Sequence, residues 1–164
     1  MNVIYERRSI RRYIEKEIDT KIIKEILKSG MNAPSAHNKK PYEFIVVDDK
    51  NLLNEMAQIK PEASFLRYAD KAIVLLSNML TDYWQQDLGA TTQNMLLTAK
   101  EYEIGSCWIG MAPNEELENK ARELLNIPNN LRVFNIISFG YTDTIKDSNN
   151  FYDEERIYYN KYEK

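Results

Sequence analysis

Four arginines and a serine crowd the stretch RRSIRRY, Arg7 to Tyr13, near the start of a chain with 25 carboxylate side chains against 22 lysines and arginines. Arg7 and Arg11 share a face if the segment is helical; if it is extended, Arg7, Ser9 and Arg11 line one side. Either way guanidinium donors, a hydroxyl and backbone N–H groups converge, a donor set suited to a phosphate group. A solvated charged face at a helix end accounts for the same residues.

Three further stretches carry groups of use to a ligand. APSAHNKKP, Ala33 to Pro41, offers Ser35, Asn38 and free backbone N–H groups; alone it is a turn-rich loop. GSCWIG, Gly105 to Gly110, sets Trp108 between glycines that permit close backbone approach, and alone it suits a core segment. DLGATTQNMLLTA, Asp87 to Ala99, reads as an interior helix. The single histidine, His37, cannot build a multi-histidine metal site, and no carboxylate cluster has the spacing of a metal loop, so no metal is expected. His37 is read as a loop hydrogen-bonding residue. The nucleotide fingerprints G-x-G-x-x-G and G-x-x-x-x-G-K-[ST] are missing from a chain with 5 glycines, as is the nucleophile elbow G-x-S-x-G.

A net charge of −3 and a pI near 5.4 set nucleic acid aside as the main partner, because such binders carry a basic face over the whole domain. The one cysteine, Cys107, excludes an internal disulfide and suits a reducing cytosol. The start has no apolar leader core, and no later segment approaches the roughly 18 apolar residues of a membrane span. A cytoplasmic location with no membrane partner is therefore expected. At 164 residues, 43% hydrophobic and 29% charged, the chain is long enough to bury a core of its own.

The elements that must position these groups follow from periodicity. Asp19 precedes Ile22, Ile23, Ile26 and Leu27 at helical spacing; Ile18 and Ile23 suit a hydrophobic staple and Gly30 a stop. Strands are expected at 42–48, 71–77 and 133–141, and a helix at 51–59. The longest helix, about 83–102, aligns Leu88, Thr92, Met95, Leu96 and Ala99. Ile104 to Gly110 reads as a short strand or turn, and Asn114 caps a helix carrying Leu117, Ala121, Leu124 and Leu125. From Thr142 to Lys164 there is no clear period. Phe151, Tyr152, Tyr158, Tyr159 and Tyr162 suit a partner surface better than water. The expectation is one α+β domain over 1–164, with about 142–164 a tail packing on a partner.

Taken in order, RRSIRRY, APSAHNKKPYEFIVV, DLGATTQNMLLTAKEYEIGSCWIG and the LLNIPNN...FGY ending resemble the nitroreductase family of FMN-dependent oxidoreductases. The resemblance runs from Arg7 to Tyr141. It implies a nitroreductase-like fold with a central, mostly antiparallel sheet flanked by helices. It also implies an intertwined homodimer with extended C-terminal tails and FMN in two interface clefts. On this likeness Arg7, Arg8, Ser9 and Arg11 match the arginine-serine-basic motif at the flavin, the first Arg and the Ser at phosphate and Arg11 near the pyrimidine side of the ring. Pro34, Ser35, Ala36 and Asn38 match the loop that covers the flavin from the other subunit. Ile109 and Gly110 match the turn whose backbone approaches N5. Two positions depart from the pattern: Lys40 replaces the usual Gln before Pro41, and Asn149, Asn150 and Phe151 stand where relatives place a phosphate cation. Lys146 and Arg156 are the candidate substitutes.

The implied activity is a ping-pong reductase that takes hydride from NAD(P)H and passes electrons to a nitroaromatic, quinone or similar conjugated small-molecule acceptor, with no side-chain nucleophile or other catalytic residue required. Alternatives are a flavin-binding carrier or sensor without turnover, and a nitroreductase-fold enzyme of different flavin chemistry such as reductive dehalogenation.

Overall fold

A computed structural model describes residues 2–162; Glu163 and Lys164, the end of the expected tail, lie outside the described residues, as does Met1. The chain order is α1 (Val3–Glu6), α2 (Thr20–Met31), β1 (Tyr42–Val47), α3 (Lys50–Met56), β2 (Lys71–Ser77), α4 (Trp84–Glu101), β3 (Gly105–Gly110), α5 (Glu115–Leu125) and β4 (Arg132–Gly140). Short 3₁₀ stretches occupy Ala36–Asn38, Pro61–Tyr68 and Glu154–Arg156. The strands form one antiparallel sheet in the order β1-β2-β4-β3.

The near-continuous apolar run of β2 follows from its place, since it is buried at every position. One face of the sheet carries Ile73, Ile137 and Phe139 against α2 and α4, through Ile23, Ile26, Met95 and Ala99. On the other face Val74, Leu76, Val133 and Ile136 pack with α3, the 61–68 stretch and α5, through Leu53, Met56, Leu66 and Ala121. A strand covered on both faces has no polar side to present. This is the expected α+β architecture, a central antiparallel sheet flanked by helices.

The caps behave as their side chains dictate. Asp19 accepts the Lys21 N–H at 2.8 Å, Asp49 the Leu52 N–H at 2.8 Å and Asn114 the Leu117 N–H at 3.1 Å, each satisfying one free donor of a first turn. Gly30 differs from expectation. It is not a stop but a buried position inside α2, where a Cβ would lie 2.8 Å from Met95 Cγ. The glycine lets α2 cross closely over α4. Among the described residues no helix is long and apolar enough to cross a membrane.

Candidate functional site

Arg7 has extended backbone angles, so the four-apart helical face does not form and alternation governs the arm. Ile10 is buried, and its N–H donates to the Ser106 carbonyl at 2.9 Å, in register with a parallel bridge between Ser9 and Ser106. Two paired glycines make the seat. Gly105 lies opposite Gly140 in the ladder; a Cβ on the first would meet Ile10 at 2.9 Å, and one on the second would meet the Tyr13 ring at 2.6 Å. The Tyr13 hydroxyl donates to the Ile10 carbonyl at 2.8 Å and pairs with Ser138 Oγ at 2.7 Å. Ile14 N–H closes the arm onto the Tyr141 carbonyl at 2.9 Å.

This seat sorts the arginines. Arg7 lines one cavity with Arg8, Ser106 and Lys146, and Arg11 lines another with Arg12 and Phe65; both act on Cys107, whose thiol pKa burial pushes up while Arg11, the Ser9 hydroxyl, Lys146 and Arg7 pull it the other way. Arg8 is not among the groups acting on the thiol. Its guanidinium donates to the Asp147 carbonyl, tying the arm to the tail. Of the two candidate tail cations, Lys146 stands beside the arm, its ammonium donating to the Ser9 carbonyl at 2.7 Å. Arg156 pairs instead with Asp153 at 2.8 Å and lies over the Phe151 ring.

β3 is an edge strand, and its pairing parity decides which backbone groups are free. Ser106 turns its carbonyl outward to Ile10, while Met111 turns its N–H inward to the Phe134 carbonyl at 3.1 Å. Residues between them alternate, so Cys107 and Ile109 face β4, and Trp108 and Gly110 present backbone N–H and C=O on the outer edge. Of the two positions matched to the N5 turn, Gly110 therefore has an outward N–H and Ile109 is committed to the ladder. A Cβ on Gly110 would meet nothing within 4 Å, so space lies open beside it. Lys60 was not anticipated. Its ammonium donates to the Gly110 carbonyl at 3.0 Å, at the far end of β3 from Ser9. No local pattern around Lys60 signals that long-range contact.

The loop 34–38 stands elsewhere. The Ala36 N–H donates to Asp87 Oδ1 at 3.0 Å, and the Lys40 N–H to Ser35 Oγ at 2.9 Å, while His37, Asn38 and Lys40 take positive φ of 52°, 54° and 50°. Pro34 and Asn38 are exposed. Asp87, read as part of an interior helix and nothing more, is the residue that holds this loop to the first turn of α4. α1, which leads into the arm, meets the other end of α4, where Glu6 pairs with Lys100 at 3.5 Å. At 1.5 Å per residue the two anchors are about 20 Å apart along the helix.

The sequence pattern of the Nitroreductase family matches residues 4–80 and 80–141. The chain belongs to the nitroreductase family. A relative in Archaeoglobus fulgidus, provisionally described as an NADH dehydrogenase/NAD(P)H nitroreductase, is 42% identical over 160 residues, 94% of this chain and 90% of its own. An FMN-dependent nitroreductase from Clostridium difficile superposes with TM-score 0.93 at 32% identity over 98% of each chain. A protein from Desulfovibrio desulfuricans, provisionally described as a nitroreductase and solved in complex with FMN, superposes with TM-score 0.82 at 27% identity over 98% of this chain and 96% of its own. For a nitroreductase-family chain the donor set here suits FMN: cations and a hydroxyl at one end of an unpaired strand edge, and an outward glycine N–H at the other. From Ser106 to Gly110 that edge spans about 13 Å, four residue rises. Among the described residues no group of histidine, cysteine and acidic side chains has a geometry that could hold a metal ion.

Proposed function

We propose that this chain, an NAD(P)H-dependent flavin oxidoreductase by family, holds FMN along the outer edge of β3 and works by a ping-pong reaction. NAD(P)H binds and leaves before a nitroaromatic, quinone or similar conjugated acceptor takes its place. FMN, when bound, supplies the hydride-accepting and electron-donating chemistry. The observation that carries the reading is the open β3 edge, with Arg7, Ser9, Arg11 and Lys146 gathered at one end and the Gly110 N–H free at the other.

Within this reading Arg7, Ser9 and Lys146 hold the phosphate, and Arg11 offsets negative charge at the pyrimidine side of the ring. The Gly110 N–H orients the ring's centre at N5, and Lys60 fixes the Gly110 peptide that presents it. Arg8 acts through the tail. The loop anchor lies at the end of α4 away from the arm, beside Trp108, and Pro34, Ser35, Ala36 and Asn38 are assigned, as the family resemblance implies, to the site of a second copy. An intertwined homodimer with tail residues 142–164 on the partner satisfies this, and it covers Phe151, Tyr152 and Tyr159, which are largely exposed in the single chain.

The test is an absorption spectrum of the purified protein, alone and after anaerobic addition of NADH or NADPH. Flavin bands at 1:1 FMN per chain, rapid bleaching by nicotinamide and return of colour with a quinone are expected. A colourless protein with no affinity for added FMN overturns the proposal; bound FMN that neither nicotinamide bleaches converts it to a carrier or sensor.

A further inference from the structure

Arg12 lines a cavity of about 500 Å³ together with Arg11, Arg67, Phe65 and Tyr68. No carboxylate lines this cavity, and among the described residues none of its three arginines has an ion-pair partner. Arg11 serves the flavin in the reading above, so Arg12 and Arg67 are the guanidinium groups left to this concavity; Arg67 and Tyr68 also border a second cavity, lined by Glu15, Glu17, Asp48 and Asp70. Like charges held together raise the free energy until an anion enters, so the cavity is a built attraction for a multiply charged anion. Its walls narrow the choice further. The Arg67 Nε–H donates to the Ser64 carbonyl at 3.0 Å, which fixes the guanidinium plane and leaves its terminal nitrogens free for a bidentate contact. Arg11 lies 5.9 Å from the centre of the buried Phe65 ring, and Tyr68 keeps 66% of its surface open. A ring open to solvent beside free guanidinium donors is a platform on which a nucleobase stacks.

Arg11 belongs to this cavity and to the arm that faces Cys107, so an occupant of the cavity is adjacent to the flavin site. We infer that the cavity binds the adenosine 2′-phosphate end of the hydride donor, with Arg12 and Arg67 on the phosphate and Tyr68 against the adenine, which makes the protein selective for NADPH over NADH. The inference rests on the FMN reading above. It assigns Arg12 and Arg67 to specificity, with no contact to the reacting atoms.

Holoprotein is the test material. Anaerobic bleaching by NADPH should have a second-order rate constant about tenfold or more above that for NADH, and Arg12→Gln/Arg67→Gln should bring the two within about twofold. By titration calorimetry, 2′,5′-ADP should bind the holoprotein about tenfold more tightly than 5′-ADP, and the double variant should lose that difference. Arg12→Lys/Arg67→Lys, which keeps the charge, should retain part of it. Equal bleaching by NADH and NADPH overturns the inference and leaves the flavin reading intact. Inorganic phosphate competing as well as 2′,5′-ADP overturns the nucleotide assignment. A double variant that changes sedimentation rather than 2′,5′-ADP affinity shows that a second copy fills the cavity, and this too overturns it. Protein that binds no FMN, or is bleached by neither donor, overturns the reading beneath.

Discussion

Two irregular segments run beside the β3–β4 edge, and they are held in opposite ways. The arginine arm, residues 7–14, is locked by buried Ile10, the glycine pair beneath it, the Tyr13 hydroxyl bonds and backbone bonds to Ser106 and Tyr141. The tail after Thr142 touches the rest of its own chain chiefly through Thr142 on Arg12, Arg8 on Asp147, Lys146 on Ser9 and the Asn149 N–H on Tyr5. Its apolar side chains stay outside, with Ile145 at 95%, Tyr159 at 83% and Phe151 at 70% exposure. So much exposed aromatic surface on one strap marks an interaction site. The arm is positioned by its own chain; the tail is dressed for another surface.

The largest effect should come from removing the arm's charge. Arg7→Ala/Arg11→Ala should weaken FMN binding about a hundredfold or more, since each charged hydrogen bond contributes about 1.5–3 kcal/mol, while thermal stability of the apoprotein stays within about 1 kcal/mol. Fluorescence titration with FMN checks it; unchanged affinity would remove the arm from the site. The tail's counterpart is a deletion of residues 148–164, which spares Lys146. If the tail covers a second copy, dimer affinity by sedimentation equilibrium falls at least about a hundredfold. A truncated protein as dimeric as the full chain would break the contrast between the two segments.

Next in size is the arm's seat. Gly140→Ala sets a Cβ 2.6 Å from the Tyr13 ring. Overpacking of this kind costs about 1–3 kcal/mol and should lower both the urea midpoint and FMN affinity, because the arm that carries Arg7 and Arg11 is displaced. A smaller change should separate the two candidate tail cations. Lys146→Ala should weaken FMN about tenfold, and Arg156→Ala, whose partners are Asp153 and Phe151, should leave it within about twofold. The reverse order would move the phosphate site away from Ser9.

What could be read from the chain follows the same division between local and long-range causes. The strands β2 and β4 and the helices α2, α4 and α5 were legible because burial periodicity and caps are local signals. Arg7, Ser9 and Arg11 are identifiable as a set, but their local sequence fits a helix and an extended segment alike, because Gly105 and Gly140, about a hundred residues on, decide between them. Gly30 reads locally as a stop because glycine often ends helices; its reason, Met95, lies on another helix. Lys60 and Asp87 carried no sign of their contacts with Gly110 and Ala36, since nothing local requires them. Likewise the 61–68 stretch, which walls the arginine cavity, has no period to announce it.

The smallest effect concerns the thiol under the arm, and its sign can be worked out. Burial raises the pKa of Cys107 above its ordinary value of 9.0, against the pull of Arg11, Ser9, Lys146 and Arg7. The folded chain therefore keeps its proton where the unfolded chain loses it. Below pH 9.0 both states are protonated and stability is unaffected; above it ionisation favours the unfolded state, so stability falls as pH rises. The slope from this group is at most about 1.4 kcal/mol per pH unit. Tyr13, also raised by burial, adds its own loss above its ordinary value of 10.0. Urea midpoints measured from pH 8 to 10 should decline less steeply in Cys107→Ala than in the natural chain, and more steeply in Arg11→Ala, which lacks the strongest opposing charge. Deleting the tail beyond Asp147 keeps Lys146 and should leave the slope below pH 10 unchanged, since Tyr158, raised by its hydrogen bond with Tyr162, adds its own loss only above its ordinary value of 10.0. If the deletion alters the slope as much as Arg11→Ala does, the tail reaches the buried face of the site and the division between a self-positioned arm and an outward-facing strap fails.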